Sequence, residues 1–180
     1  MAMSRILALL VVIGLLGTGC TALKTFPQSA RGGDTIALAV GSMWEETLSV
    51  DVSFEKREWK HFLEARDQRD AWQVMRFSWF GDYNDPMTFA AIFQSGHEQN
   101  LPGWSDARYD ELIRTARAET DMVKRNGLMQ EAERILMDAY AIAPLYFYVS
   151  KHFVSPRVTG FKENVLDRHP TRHLGLIEMD

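Results

Sequence analysis

The protein chain has 180 residues, a formal net charge of −4 and 46% hydrophobic residues, which is an ordinary globular composition. A mildly acidic chain lacks the basic face that nucleic acid or an anionic membrane surface requires, so we expect neither as a partner. Its length suits one domain, and its single cysteine, Cys20, excludes an intrachain disulfide.

The N-terminus has the pattern of a targeting segment. A positive start at residues 1–5 precedes the eleven-residue apolar run Ile6–Leu16, which falls short of the roughly 20 residues that a membrane-spanning helix needs. We therefore predict a signal peptide over residues 1–20, outside the fold, with an uncleaved membrane anchor as the alternative. The small residues before Cys20 resemble a bacterial lipoprotein signal, in which this cysteine would be lipidated. Ordinary cleavage near Ala22 is the competing interpretation.

The mature chain begins with a polar linker at residues 21–33 and continues with alternating helical and strand patterns. Asp34 suits a helix N-cap, and the apolar stripe that follows it has helical spacing. A half-buried strand is predicted at residues 50–54, a helix at 58–69 and a second strand at 72–79. The apolar stripe of the first helix consists of Ile36, Val40, Met43, Trp44 and Leu48.

The second half of the chain is predicted to be mostly helical, and its helices and strands together with those of the first half predict a mixed α/β fold. The predicted elements are, in chain order, a short helix from Asp85-Pro86 to Gly96, two helices capped by Ser105 and Asp121, a buried strand at 143–149 and a last strand at 174–177.

The sequence carries no recognisable cofactor motif. It has no Gly-rich nucleotide fingerprint, no P-loop and no serine in a nucleophile elbow. His169 and His173 are four residues apart, which is a metal-ligand spacing on a helix, but Pro170 disfavours a helix between them. We therefore interpret both as solvated histidines and expect neither a metal nor a cofactor.

Two nearby carboxylates, Asp82 and Asp85, raise the alternative of a glycoside hydrolase. Catalytic pairs of that kind usually come from separate elements that fix their separation. Asp85, directly before Pro86, is better explained as a helix cap. We therefore expect that the protein is not an enzyme.

These carboxylates lie in the stretch RFSWFGDYNDP, Arg76–Pro86, which concentrates charges and aromatic rings. The stretch is either a strand that runs into a turn or the wall of a ligand site. In a ligand site, Trp79 would offer an apolar surface, Asp82 would pair with a cation and Arg76 would bind an anion. A free peptide carries both charges, although composition alone does not choose between the two interpretations.

Four stretches stand in a fixed order along the chain, namely EWKHFLEAR at Glu58–Arg66, RFSWFGDYNDP at Arg76–Pro86, WSDARYDELI at Trp104–Ile113 and IAPLYFYVS at Ile142–Ser150. Together they resemble the C-terminal portion of the oligopeptide-binding proteins of ABC importers (periplasmic solute-binding protein family 5). Their order and spacing agree with that family from about Asp34 to the C-terminus. The resemblance implies an α/β fold that is part of a type II periplasmic-binding-protein-like lobe, with a mixed sheet and flanking helices.

The resemblance also implies roles for single residues. Asp82 matches the carboxylate that receives the α-ammonium of a peptide, and Arg76 matches an arginine that can meet the C-terminal carboxylate of short peptides. Ser78 and Phe80 flank Trp79, where backbone groups pair with an extended peptide as an added strand. The implied pocket side chains are Trp79, Trp59, Arg66 and Tyr148.

The implied function is the capture of short peptides for an ABC permease of the inner membrane, in the periplasm or cell envelope, with Cys20 as a candidate lipid anchor. Family members are much longer than this chain, so we expect residues 34–180 to form a truncated, later part of one lobe. We do not expect tight binding by that part alone, because an ion pair open to water contributes roughly 0–1 kcal/mol. Two alternatives stay open: a remnant that binds nothing, and a small accessory or interaction protein that retains part of the fold.

Overall fold

The helices and strands follow the predicted order, with two further strands near the N-terminus and a further short strand at Val158–Thr159. The computed structural model describes residues 8–13, 22–26, 33–66, 68, 72–147 and 149–178. The helices are α1 (Gly33–Leu48), α2 (Trp59–Arg66), α3 (Met87–Ala90), α4 (Ala107–Ala118) and α5 (Met122–Asp138), with 3₁₀ turns at Ala91–Phe93 and Thr171–His173. The strands are β1 (Ala8–Ile13), β2 (Ala22–Phe26), β3 (Asp51–Phe54), β4 (Val74–Ser78), β5 (Ile142–Phe147), β6 (Val158–Thr159) and β7 (Gly175–Leu176).

A five-stranded sheet in the order β3-β2-β4-β1-β5 forms the centre of the described chain. Strand β2 runs parallel to β3 and β4, whereas β1 is antiparallel to both of its neighbours, β4 and β5. The register of β1 sets Val11 opposite Arg76 on one side and opposite Ala143 on the other. The mixed sheet with flanking helices that the sequence predicts is therefore confirmed.

The two N-terminal strands differ from what we expected of this part of the chain. Strand β1 lies within the run predicted to stand outside the fold as a signal peptide, and β2 lies within the predicted linker at residues 21–33. A short apolar run that suits a signal peptide also suits a strand in the middle of a sheet, so periodicity does not separate the two. The signal peptide over residues 1–20 stays a prediction.

The hydrophobic core joins α3, α4 and α5 to residues of β4 and β5. Helix α4 faces the core through Tyr109, Ile113 and Ala116, which are at most 1% exposed. These three residues follow the spacing of one helical face. Helix α5 contributes Met129, Ala132 and Leu136.

One prediction about burial was wrong, because strand β5 is only partly buried and its Phe147 is 61% exposed. Helix α1 forms as predicted, and its apolar stripe is half-buried at Ile36, Val40 and Trp44 but exposed at Met43 (62%) and Leu48 (58%). Apolar spacing determines which residues share a face of an element, but it does not determine whether another element covers that face.

The cap of α4 also needs correction. Its N-cap is Asp106 and not Ser105, because the Asp106 carboxylate accepts a hydrogen bond from the Tyr109 amide at 2.8 Å. The Ser105 hydroxyl instead lies 2.9 Å from the Ser95 hydroxyl. Asp121 caps α5 as predicted, since its carboxylate accepts hydrogen bonds from the first amides of that helix.

The buried hydroxyl of Tyr109 gives a first testable prediction. It donates to the carbonyl oxygen of Ala90 at 2.6 Å, and Tyr109→Phe removes that donor. We expect a loss of about 1–2 kcal/mol in the free energy of unfolding by urea at pH 7. Burial also raises the pKa of Tyr109, so the folded chain keeps a proton that the unfolded chain loses above about pH 10, and stability should fall above that pH. The Tyr109→Phe variant has no proton to lose at this position, so its stability should fall less above about pH 10.

The matched control is Tyr140→Phe, because Tyr140 is 72% exposed. This variant also lacks one hydroxyl, but its urea midpoint should equal that of the unmodified chain both at pH 7 and above about pH 10. An equal loss in the two variants would contradict the structural role of the Tyr109 hydroxyl.

The position of β1 gives a second prediction. Because β1 pairs with both β4 and β5, a chain that begins at Thr21 leaves two strand edges without their partner. We expect its thermal transition, followed by far-UV circular dichroism, to be broader and at lower temperature than that of the chain from Met1. Identical transitions would mean that the sheet does not depend on β1.

Candidate functional site

Residues 79–86, which we call the signature turn, connect β4 to α3 and are held to that helix by hydrogen bonds. The hydroxyl of Thr88, a residue only 4% exposed, accepts from the amide of Asp82 at 3.0 Å. The Asp85 carboxylate accepts from the amide of Met87, the first residue of α3, at 2.8 Å. The middle of the turn and its C-terminal end are therefore fixed to α3.

Helix α5 reaches the signature turn through Arg125. Its Nη2 donates to Oδ1 of Asp85 at 2.7 Å, and the two side chains are 12% and 29% exposed. The hydrogen bond from Arg125 lowers the pKa of Asp85, although burial acts in the opposite direction. Asp85 is thus a helix cap, as predicted, and also the attachment point of the turn to α5.

Asp82 is exposed on this fixed backbone. Its carboxylate makes no hydrogen bond or ion pair with any residue that the structure describes. The neighbouring side chains Phe80 and Tyr83 are 65% and 49% exposed. The turn therefore presents one negative charge next to apolar aromatic surface, which suits a ligand with a cationic group.

The two tryptophans predicted to line pockets are anchored in the same core. The Trp79 and Phe77 rings stack with centroids 6.2 Å apart, and the Trp59 and Phe62 rings stack at 5.6 Å. Phe62 and Phe77 belong to one buried cluster. The Trp79 indole N–H is buried without a hydrogen-bond partner among the described residues. A buried donor left in this way costs about 1–3 kcal/mol, which a ligand acceptor would recover.

The other predicted site residues lie deeper or outside the described chain. Arg76 is 7% exposed within β4, so it is far less open to solvent than Asp82. Ser78 ends β4 and Arg66 ends α2, and both are partly buried. Tyr148 lies outside the described residues, as does the predicted lipidation site Cys20. The assigned roles of all these residues stay predictions.

A cavity of about 390 Å³ adjoins the signature turn. It is bounded by the turn, by the first part of α5 including Arg125, and by the segment from Ser150 to His169. Of the predicted peptide-binding residues that the structure describes, only Phe80 lines it. The cavity therefore adjoins the aromatic surface next to Asp82 through Phe80 and Tyr83, but neither Asp82 nor Trp79 lines it.

Sequence reasoning missed three polar residues that position this region, namely Thr88, Asn100 and Arg125. Asn100 is 2% exposed, and its Nδ2, which has two hydrogens to donate, lies within hydrogen-bond distance of three backbone carbonyls, the nearest being that of Trp104 at 2.7 Å. Thr88 had a local signal, because it is a hydroxyl within an apolar run. Arg125 had none, because its partner lies 40 residues away along the chain.

Comparison with known proteins finds relatives over most of the chain, although no family model matches it. The periplasmic murein peptide-binding protein MppA of Escherichia coli is 37% identical over 137 residues, which are 76% of this chain and 25% of that protein. The dipeptide-binding protein DppE of Bacillus subtilis is 37% identical over 142 residues, 78% of this chain and 25% of the relative. The oligopeptide-binding protein OppA of Salmonella typhimurium is 34% identical over 144 residues, with shares of 79% and 26%. The chain thus spans about a quarter of the length of these relatives.

Solved structures agree with this relationship. The murein tripeptide-binding protein MppA of E. coli matches with a TM-score of 0.80 and 32% identity, over 88% of this chain and 31% of that one. The Haemophilus influenzae OppA complex with the peptide RPPGFSPFR matches with a TM-score of 0.77 and 29% identity, over 87% of this chain and 31% of the OppA chain.

The shared sequence and architecture define part of a type II periplasmic-binding-protein-like lobe. The chain belongs to the oligopeptide-binding solute-binding proteins of ABC importers and corresponds to their C-terminal portion. This is a family of binding proteins and not of enzymes, as the sequence predicts. Among the described helices, none is both long and apolar enough to cross a membrane.

The ion pair between Arg125 and Asp85 gives a third prediction. In a double-mutant cycle with Arg125→Met and Asp85→Asn, we expect a coupling of about 1 kcal/mol at pH 7, since the pair is partly buried. Because the pKa of Asp85 is lowered in the folded chain, the stabilisation by the ion pair is complete above the pKa that Asp85 has in the unfolded chain, which is about 4. The stabilisation is lost as the pH falls through the lower pKa that Asp85 has in the folded chain. Urea unfolding measured between pH 6 and pH 2 checks both statements.

The control is the exposed pair of Glu111 and Arg114, which is joined by hydrogen bonds within α4. Glu111→Gln removes a similar carboxylate without touching the signature turn, and its urea midpoint should match that of the unmodified chain at pH 7. The stabilising role of the Asp85–Arg125 ion pair would be refuted if Asp85→Asn left the urea midpoint as unchanged as Glu111→Gln does.

Proposed function

We propose that this chain is part of an extracytoplasmic solute-binding protein that captures short peptides by their termini for import by an ABC permease. The observation that carries the proposal is an exposed Asp82 on a turn fixed by Thr88 and Arg125, within a sequence related to peptide-binding proteins. The related H. influenzae OppA has been solved with the peptide RPPGFSPFR, which supports a peptide as the ligand class.

The proposed mechanism begins with the peptide N-terminus. The α-ammonium group has a pKa of about 8 and is charged at neutral pH, and the Asp82 carboxylate would receive it. Backbone groups between Ser78 and Phe80 would pair with the extended peptide as an added strand, which reads the main chain and tolerates varied side chains. The buried indole N–H of Trp79 would gain an acceptor from the ligand.

The C-terminal carboxylate of a short peptide is the proposed partner of Arg76. A guanidinium can bind a carboxylate through two parallel hydrogen bonds. Because Arg76 is only 7% exposed, a ligand would have to enter a recess beside β4 to meet it. Arg76 would thus select for peptide length, whereas the open position of Asp82 would accept any free amino terminus.

Tight binding requires a second wall over the signature turn. An ion pair in contact with water contributes about 0–1 kcal/mol, and excluding the water strengthens it. We therefore propose that the peptide is held firmly only where further protein covers Asp82 and Phe80. The relatives are named as periplasmic, and we propose the periplasm or cell envelope as the location, with lipidation at Cys20 as an anchor.

Replacing Asp82 gives the fourth prediction and tests the proposal. Asp82→Asn keeps the size of the side chain but removes its charge, so it should weaken binding of tripeptides with a free amino terminus. Binding of the same peptides after N-acetylation should change little. Isothermal titration of both peptide sets against both chains measures the difference.

The matched control is Asp138→Asn, which removes one exposed carboxylate from the end of α5. It makes the same change in net charge and should leave both peptide sets unaffected. An equal loss for free and acetylated peptides in Asp82→Asn would refute the role of Asp82. The absence of any peptide binding by the unmodified chain would favour the remnant or accessory alternatives.

A further inference from the structure

A cluster of two histidines and one aspartate lies outside the predicted peptide-binding surface. Oδ1 of Asp167 is 2.6 Å from Nε2 of His152 and 2.9 Å from Nε2 of His169. The three ligand-type atoms all lie within 4.8 Å of one another. Two imidazole nitrogens and a carboxylate oxygen that lie this close together are a ligand set that zinc binds in proteins.

The carboxylate of this cluster is held in place by the loop that carries it. The side chain of Asn164 donates to the backbone carbonyl of Arg168 at 2.8 Å and accepts from the Arg168 amide at 3.1 Å. These bonds close the turn in which Asp167 has a positive φ of 53°. The Ser150 side chain forms a further hydrogen bond to the Asp167 carboxylate.

The two imidazole rings are also restrained. The Phe161 ring stacks on His169 with centroids 4.2 Å apart and an interplanar angle of 18°. The centroid of the same phenylalanine ring lies 5.3 Å from that of His152. The two histidine rings are arranged edge to face with their centroids 4.9 Å apart. Ordering the ligand side chains before an ion arrives lowers the entropy cost of binding it.

We propose that His152, Asp167 and His169 bind one divalent transition-metal ion of the zinc type. Ligands about 2.0–2.2 Å from a tetrahedral ion stand about 3.3–3.6 Å apart. The contacts of Asp167 with His152 and His169, at 2.6 and 2.9 Å, would therefore lengthen by about 0.4–1 Å to accept the ion. Three protein ligands leave at least one coordination position for water or a ligand atom, and all three residues line the cavity beside the signature turn.

The proposal differs from what the sequence suggests for these histidines. His169 was expected to be solvated beside His173, but its side chain is only 14% exposed, and its contacts are with Asp167, His152 and Phe161. His173 instead accepts a hydrogen bond from Nε of Arg172 at 3.0 Å. The ligand set joins residues from two separate stretches of the chain, so the local spacing of RHPTRH does not reveal it.

The test is a zinc titration of the full chain, without an affinity tag and with Cys20→Ser to remove the one thiol. We expect one zinc ion per chain by isothermal titration. His152→Ala and His169→Ala should each weaken binding at least tenfold, because each removes a direct ligand. His173→Ala is the matched control from the same segment, and its affinity should be unchanged.

The absorption spectrum of the Co²⁺-loaded chain provides a second readout. Four-coordinate Co²⁺ with nitrogen and oxygen ligands gives intense visible bands, whereas an octahedral ion on scattered surface groups gives weak ones. Intense bands that disappear in His152→Ala and persist in His173→Ala support the site. Weak bands in the unmodified chain, or unaltered zinc affinity in His152→Ala and His169→Ala, overturn it.

A measurement on the unmodified ligand residues covers the case in which a variant does not fold. Diethyl pyrocarbonate modifies accessible imidazoles, and mass spectrometry locates the modified residues. Zinc should protect His152 and His169 but not His173. Equal modification of all three with and without zinc would overturn the proposal.

Discussion

The hydroxyl of Tyr109 bonds α4 to the carbonyl of Ala90, the last residue of α3, and the signature turn depends on this contact. A helix of four residues has too few internal hydrogen bonds to be stable by itself. Helix α3 persists because α4 holds its end through Tyr109, while Arg125 of α5 holds the turn at its beginning. The loop that carries Asp82 is thus attached both to α3 and to α5.

Much of this architecture could be predicted from local patterns. Helices α4 and α5 have a polar N-cap, a helical apolar face and no interior proline, so propensity, capping and burial agree. The motif stretches predicted the family and the fold class. The patterns failed where a second element decides the outcome, as for β5, which was predicted to be buried but carries the exposed Phe147. They also failed for β1, because an apolar run alone does not state what will surround it.

The residues of the candidate site also fall into two groups, those that local sequence patterns identify and those that only the structure brings together. Asp82, Phe80 and Trp79 could be named because they are neighbours in one charged, aromatic stretch. Arg125 could not, since it meets Asp85 from another helix, and the meeting of His152 with Asp167 and His169 depends on how the chain returns after β5. Even Arg76 could be named without its burial being foreseen, because only the sheet shows that β4 is an interior strand.

Strand β1 has one more consequence. Its six residues occupy the fourth place in the sheet, between β4 and β5, and they also lie in the run that reads as an export signal. The same peptide bonds cannot be engaged by a sheet and by a translocation or processing machinery at one time. For the predicted signal peptide, folding and processing would therefore be alternative outcomes for a single segment. A chain exported while unfolded could be cleaved there, whereas a chain that folds first would hold the same segment in its sheet.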